Sequence, residues 1–496
     1  MYRKMDADQL KFADFYLPFG GKLRSDNRWV ILAKQIPWDD IEERYGRQFC
    51  EDNGSPAKSA RIALGALIIK ERLLTTDRET VEQIRENPYL QYFLGLSEYT
   101  DKELFHHSMM THFRKRFDKD TLAQINQLIV EAAISSANKK ADVSSDDGNN
   151  QPPSNHGKLL VDATCTPADV AYPTDLNLLN ESREKTEEMI DVMHSPFVGI
   201  EDKPRTYREK ARKAYLTVAK LKKPGVRKIR KAIGQQLRYL RRNLGIIDHL
   251  VCNGRLIYLS RRLYRLLLVI KELFRQQQLM YDCQTHSVTD RIVSLHQPHV
   301  RPIVRGKAKS PVEFGAKVSV SLVDGFSFVE KIGWDAYNES CDLTEQIERY
   351  RLRFGFYPES VHVDKLYRTR ENRSYCQAKG IRLSGPPLGQ PSEETTLLRR
   401  LVRQDEIDRI AIEGKFGQGK RRFSLARVMA KLAITSEAVV MVSFLVMNLE
   451  KILAGIIFFL FLLWRWMLEQ DSPEYSMRQR WTPAYFSGTQ LKPLLL

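Results

Sequence analysis

Apolar residues recur at near-helical spacing through PAKSARIALGALIIKERL (56–73), at Ile62, Leu64, Leu67, Ile68 and Leu73, so this stretch predicts an amphipathic helix. Thr76 stands three residues before Glu79, with Val81 and Ile84 following, which reads as a capping box opening a second helix. Two helices joined by so short a turn fit a helix-turn-helix or a plain helical hairpin equally well. Residues 1–136 are expected to form an all-helical unit. Large apolar residues then vanish through NKKADVSSDDGNNQPPSNHG, and 137–156 reads as a linker.

Beyond the linker the period changes. KLLVDATC is an apolar run carrying Asp162, the signature of a buried strand. Residues 201–285 place Leu, Ile and Tyr at threes and fours, with Pro224–Gly225 and Cys252–Gly254 dividing the segment into helices. VEFGAKVSVSLVDG alternates apolar and polar positions, Asp324–Gly325 supplies a hairpin turn, and FSFVEKIGW continues the pattern. TEQIERYRLRFG predicts a helix, ESVHVD a short strand ending at Asp364, SGPPLGQPSEE a loop, and Glu393–Phe416 a long helix. Strands alternating with helices indicate an α/β layer around one sheet. The apolar runs Ala438–Met447 and Ile452–Trp464 are separated by Asn448, Glu450 and Lys451 and predict a pair of buried helices. The second run has 13 uncharged residues where a membrane span takes ~20, so no membrane association is expected.

Charge adds a partner to this picture. The 496 residues carry a net +17, and 22 Lys and Arg against three acids between Lys203 and Arg275 account for all of it. A solvated helical face normally mixes both signs, so this segment points to a polyanion, nucleic acid before a membrane surface. The six cysteines are scattered without a C-x-x-C pair, so neither a zinc site nor a disulfide framework is indicated, and a reducing cytoplasm fits. MYRKMDADQLKF has no apolar run of the kind a signal peptide needs.

Asp162 and Asp364 each lie at the C-terminal end of an apparent buried strand, the edge where open α/β sheets build their sites. A third acid, Glu413, lies on a helical pattern in RIAIEGKFGQGKRR, with Arg409 four residues before it and Lys420 seven after, near one face of a continuous helix. Three carboxylates on rigid elements suit a hard divalent cation, and two such ions ~3.5–4 Å apart serve phosphodiester chemistry. Taken one at a time, each acid is equally at home in a structural role, and Arg–Glu at i,i+4 is often a surface ion pair.

These residues resemble a known family, the bacterial insertion-sequence DDE transposases of the insertion-sequence-five type. The likeness runs through MYRKMDADQLKFADFYLPFGGKL, RWVILAKQIPWDDIEERY, VEQIRENPYLQYFLGL, KLLVDATCTPADVAYPTDLNLLNESREKTEEMID, VDKLYRTRENRSYCQAKGIRLSGPPLGQP and IAIEGKFGQGKRRFSLARVMAKLAITSEAV, in the family's order. The resemblance implies an α/β RNase H-like catalytic core (157–200 and 286–464) with an all-helical N-terminal DNA-binding domain (1–136), a basic helical insertion (201–285) and a C-terminal tail (465–496). It implies Asp162, Asp364 and Glu413 as catalytic, metal-binding acids, with Mg²⁺ or Mn²⁺ as cofactor, two ions in number. Arg409, Glu413 and Lys420 fit the family's Arg-x3-Glu-x6-Lys signature. Glu406 stands where relatives have Tyr, and Lys365–Leu366 precede Tyr367 where many have Arg-Gly. Expected DNA contacts are Arg409, Lys420, Tyr367, Arg421 and Arg422 near the acids, and Lys228, Arg230, Lys231, Arg241 and Arg242 on the insertion. The expected partners are double-stranded DNA, as terminal inverted repeats and target, and a second copy of the chain on DNA, in the cytoplasm at the nucleoid. A transposase-derived DNA-binding protein without catalysis and a structure-specific nuclease with the same core are the alternatives.

Overall fold

The computed structural model describes residues 17, 21–49, 56–141, 155–304, 312–386 and 396–470, the side chains of 135–141, 396–398 and 459–470 excepted. Most of the expected linker and tail, and much of the loop after Ser384, lie outside the described residues. Among the described residues seven α-helices come first: α1 (Arg28–Gln35), α2 (Trp38–Gly46), α3 (Ala60–Leu73), α4 (Asp77–Glu86), α5 (Pro88–Phe93), α6 (Met109–Arg116) and α7 (Lys119–Ala141). The strand β1 (Lys158–Pro167) follows, then α8 (Asp175–His194), α9 (Arg208–Ala219), α10 (Val226–Cys252) and α11 (Arg261–Asp282). The chain returns to strands with β2 (Arg301–Val304), β3 (Val312–Val323) and β4 (Phe326–Gly333), and continues with α12 (Leu343–Phe354), β5 (Ser360–Val363), α13 (Arg370–Ala378), β6 (Arg382–Leu383), α14 (Thr396–Arg422) and α15 (Ala433–Gln470).

The strands form one mixed sheet in the order β2-β3-β1-β5-β6, with β4 also on β3. β1 runs antiparallel to β3 and parallel to β5. Gly315 lets β3 press onto β1, because a Cβ there would stand 2.1 Å from the Thr166 carbonyl oxygen. The β3–β4 hairpin turns at Asp324 and Gly325, both at positive φ (48° and 76°), as a tight two-residue turn demands.

Alternation along the strands divides the side chains between two cores. Leu159 and Val161 of β1 join Val361 and Val363 of β5 under α12 and α13. Leu160, Val318, Val320 and Leu322 face the other way, onto Ile412 and Phe416 of α14 and onto α15. That second core is continuous with the apolar faces of α1–α7, so the N-terminal helices do not close a core of their own. Within them α3 is buried almost throughout and exposes no reading face. The exposed side of α4 carries Arg78, Glu79, Arg85 and Glu86, a mixture of signs. Thr76 caps α4 through the Glu79 amide (3.2 Å), whereas the Glu79 carboxylate takes the Gln83 amide instead of closing the box.

A third core joins α10 and α11 to α8 and to Ile292 and Leu295. This helical unit is therefore entered at Asp175, earlier than the expected boundary at 201. Arg183 lies at its centre, 1% exposed, bonded to Glu187 (2.6 Å) and Asn180 (2.8 Å).

The expected pair of terminal helices is one continuous helix, α15. Asn448 at the presumed break is fully buried, accepting from the Ser327 amide and hydroxyl (both 2.9 Å) and donating to Asn126 (2.8 Å). Glu450 pairs with Arg72, and the Lys451 ammonium sits over the Phe326 ring. With the Asn448 amide bonded on both sides and Glu450 ion-paired, these polar residues are accommodated without breaking the helix. Burial also ends sooner than expected, since Ile457 and Phe458 are exposed. Among the described residues one helix, at Ala433–Phe458, is long and apolar enough to cross a membrane, and two-thirds of its most apolar window is buried within the protein.

Candidate active site

The register pairs Val161 with Val363 across the parallel β1–β5 boundary, so the next residues, Asp162 within β1 and Asp364 just past the end of β5, stand side by side. By alternation both lie on the face that α14 covers: Asp162 shares it with Leu160, and Asp364 with His362, whose imidazole stands 3.6 Å from Asp405 of α14. β1 is fastened to the same helix through Lys158 and Asp408 (2.6 Å). Asp405 is buried and takes both Arg382 guanidinium nitrogens (2.8 and 2.9 Å), which fixes α14 against β6.

Each of the two aspartates is steadied by the following backbone amide, Ala163 to Asp162 (2.8 Å) and Lys365 to Asp364 (2.6 Å). Burial pushes the Asp162 carboxyl up from 3.8 to about 6, Glu339 and Asp364 push the same way, and Arg409 partly offsets the rise. Glu339, in the short turn before α12, was not legible as part of the site. It sits in an aperiodic loop, held by Lys317 (2.6 Å) and the Tyr367 hydroxyl (3.2 Å). Arg368 was also missed; it donates to the Val363 carbonyl (3.2 Å) beside Asp364, and burial lowers its pKa.

α14 runs unbroken through Gly414, Gly417 and Gly419, so Arg409, Glu413 and Lys420 share a face as their spacing requires. The Glu413 carboxylate, however, is held by Arg409 (3.0 Å) at a half-exposed rim. Among the described residues no three His, Cys, Asp or Glu side chains stand close enough to hold a metal ion. The structure thus brings Asp162 and Asp364 together and leaves Glu413 turned onto its helical neighbour.

The family model described as Transposase DDE domain matches residues 361–450, which contain Asp364 and Glu413, and the one described as Transposase domain (DUF772) matches 18–116. A Rhizobium meliloti protein named uncharacterized protein ORF8 in nfe locus is 31% identical over 172 residues, 35% of this chain and 74% of that protein. The chain belongs to the DDE-type insertion-sequence transposases. No solved structure matches the transposase. A DDE domain implies an RNase H-like core, and the mixed sheet flanked by helices agrees with that class. Transposases act on DNA, and the DDE family uses divalent metal ions.

The donor set of the transposase fits such an ion in kind. Asp162 and Asp364 offer hard carboxylate oxygens; Asp364 directly follows β5, whereas Asp162, expected at the end of its strand, lies inside β1, which runs on to Pro167 in register with β3, and a largely buried carboxylate whose charge is disfavoured first by burial and then by nearby acids gains most from a cation. A stability test follows. An ionised Asp162 costs the metal-free fold nothing below about pH 4, where it is protonated folded or unfolded, and its full penalty above about pH 6. In EDTA, Asp162→Asn is expected to stabilise the transposase on the order of 1 kcal/mol above pH 6, a gain that fades as the pH falls to 4. Thermal melting across pH checks this.

The expected DNA contacts divide. Tyr367 is a correction: it is fully buried among Val361, Val363 and Cys376 and cannot touch DNA. Arg230 is turned into the groove between α10 and α11, on the Tyr281 ring and carbonyl oxygen (3.0 Å). Arg241 donates to Gln278 (2.8 Å), and Arg242 stacks on Tyr207 and Tyr239. Lys228 and Lys231 are exposed and, at helical spacing with Arg238 and Arg242, form a basic stripe opposite the buried Leu237, Leu240 and Leu244. Lys420 is partly buried, whereas Arg421 and Arg422 are exposed at the end of α14.

Proposed function

We propose that the transposase hydrolyses a phosphodiester at each end of its element and then joins the freed 3′-hydroxyl to target DNA, with Asp162, Asp364 and Glu413 as the metal-binding acids. The observation that carries the reading is that Asp162, within β1, and Asp364, directly after the parallel neighbour β5, lie side by side beneath the helix that bears Arg409 and Glu413. A divalent cation held by these acids supplies the positive charge that a cleaving phosphodiester needs and favours the deprotonated form of the attacking oxygen. The strand backbones fix the two aspartates, so little reorganisation is required of them at the moment of reaction. Arg409 and Lys420, on the same helical face, hold the phosphate oxygens, and Arg421 and Arg422 extend that contact.

Strand joining replaces one phosphodiester with another: the 3′-oxygen bonds to phosphorus, the target's own 3′-oxygen leaves and takes a proton, and no energy cofactor is consumed. The N-terminal helices bind the terminal inverted repeats. The stripe of Lys228, Lys231, Arg238 and Arg242 tracks the DNA backbone without reading its sequence. Two copies act together, one at each end, in the cytoplasm.

The test is incubation of the purified chain with a plasmid carrying the element's ends, in Mg²⁺ or EDTA. Mg²⁺-dependent cuts at the ends together with joined products are expected. Cutting without joining would favour a structure-specific nuclease, and binding without either would leave a DNA-binding relic.

A further inference from the structure

The helical unit between β1 and β2 is an arm with a base and a tip. At the base Asp175 accepts from Gln277 (2.8 Å) and Arg291 (2.7 Å). The 20 residues of α8 then carry the chain ~30 Å to the other end. Two turns meet there, one after α8 and one between α10 and α11, and they hold three aliphatic side chains in solvent: Val198 (72% exposed), Ile200 (78%) and Ile257 (80%). The turns are braced. Gly199 and Gly254 set the bends, both at positive φ (86° and 77°). Arg255 is buried on the Phe197 ring (3.7 Å) and bonds Glu201 (2.6 Å), while Phe197 meets Tyr258 edge-on. Exposed aliphatic residues are ordinary when scattered singly, but these are gathered on an ordered support.

Their surroundings are cationic. Over the two turns, 198–208 and 253–265, seven Lys and Arg stand against two acids, Glu201 and Asp202. Arg205, Arg261 and Arg262 are exposed and meet no carboxylate among the described residues. A stable protein interface takes ~800 Å² from each partner, more than three aliphatic side chains offer, and a second copy would bring the same charge. Double-stranded DNA fits both features, with phosphates outside and stacked bases within. Its minor groove, ~6 Å wide, admits a projecting side chain but no helix. Aliphatic wedges that enter there part neighbouring base pairs and bend the duplex. We propose that the tip of the arm is such a wedge: Ile200 and Ile257 enter the minor groove and unstack a base step, with Arg205, Arg261 and Arg262 on the flanking phosphates. The inference rests on double-stranded DNA being the partner, and it adds that the arm deforms the duplex it holds.

The test is permanganate footprinting, which oxidises unstacked thymines, on duplex carrying the element's ends and bound by the full-length chain. Bending is followed in the same complex by energy transfer between fluorophores at the duplex ends, and thermal melting verifies the fold of each variant. Wild type is expected to make thymines hyperreactive at a fixed position and to bend the DNA. The double variant Ile200→Ser/Ile257→Ser keeps every charge, so it should bind with the wild-type salt dependence and lose both signals. Arg261→Gln/Arg262→Gln should lower the slope of log affinity against log salt by about two. Hyperreactivity and bending that persist in the serine variant, or that are absent from the wild-type complex, would overturn the wedge and leave DNA binding intact. Binding of wild type, but not of the serine variant, to anionic lipid vesicles with no unstacking of DNA would make the tip a membrane contact instead. Failure of wild type to bind the duplex at all would overturn the DNA reading, and the wedge with it.

Discussion

Glu413→Gln is expected to reduce end cleavage by roughly a thousandfold, about 4 kcal/mol of lost transition-state stabilisation, while leaving binding to the element's ends unchanged. The substitution is isosteric and sits at a half-exposed position, and the ion pair it weakens is of the kind worth ~0.3–0.5 kcal/mol. Folding and DNA affinity therefore have little to lose, whereas an amide oxygen is a much poorer ligand for a hard cation than a carboxylate. Single-turnover cleavage assays beside filter binding on the same DNA separate the two quantities. Full cleavage by the variant would remove Glu413 from the chemistry and leave Asp162 and Asp364 without their third partner.

The largest effect on stability is expected at Asn448. Its side chain accepts from the Ser327 amide and hydroxyl and donates to the Ser327 carbonyl and Asn126, at 2.8–2.9 Å, with no solvent contact. Asn448→Leu fills similar space but strips partners from a buried amide and a buried side-chain oxygen, and is expected to cost about 3 kcal/mol. A lower urea midpoint with an unchanged m-value would show this. An unaltered midpoint would mean that the network adds nothing beyond the surrounding apolar packing.

The same residue shows where sequence patterning stops being informative. The apolar strand ending at Asp364, the apolar run around Asp162, the hairpin at Asp324–Gly325 and the basic helices were legible because each is written in local periodicity and punctuation. Asn448, Glu450 and Lys451 looked like a break because their partners, Ser327, Arg72 and Phe326, lie more than a hundred residues away. Tyr367 was misread for a related reason: its neighbour Asp364 faces α14, but Tyr367 itself falls in the opposite core. The adjacency of Asp162 and Asp364 follows from strand register, which a local apolar run cannot specify, and the expected strand end at Asp162 was wrong, because β1 continues to Pro167 against β3. The direction in which Glu413 points is a rotamer choice against Arg409, and spacing carries no trace of it beyond the pair itself.

α15 has a consequence for how the molecule comes into being. It is the last described helix, yet it fills the apolar core shared by the first seven helices and one face of the sheet. A ribosome releasing this chain exposes Leu32, Leu64, Phe93 and Phe113 long before the segment that covers them has been synthesised. Nascent chains would therefore dwell in a sticky, chaperone-dependent state until the segment up to about residue 453 has emerged from the ribosome, and the yield of native protein should depend more on elongation speed and holdase supply than on final stability.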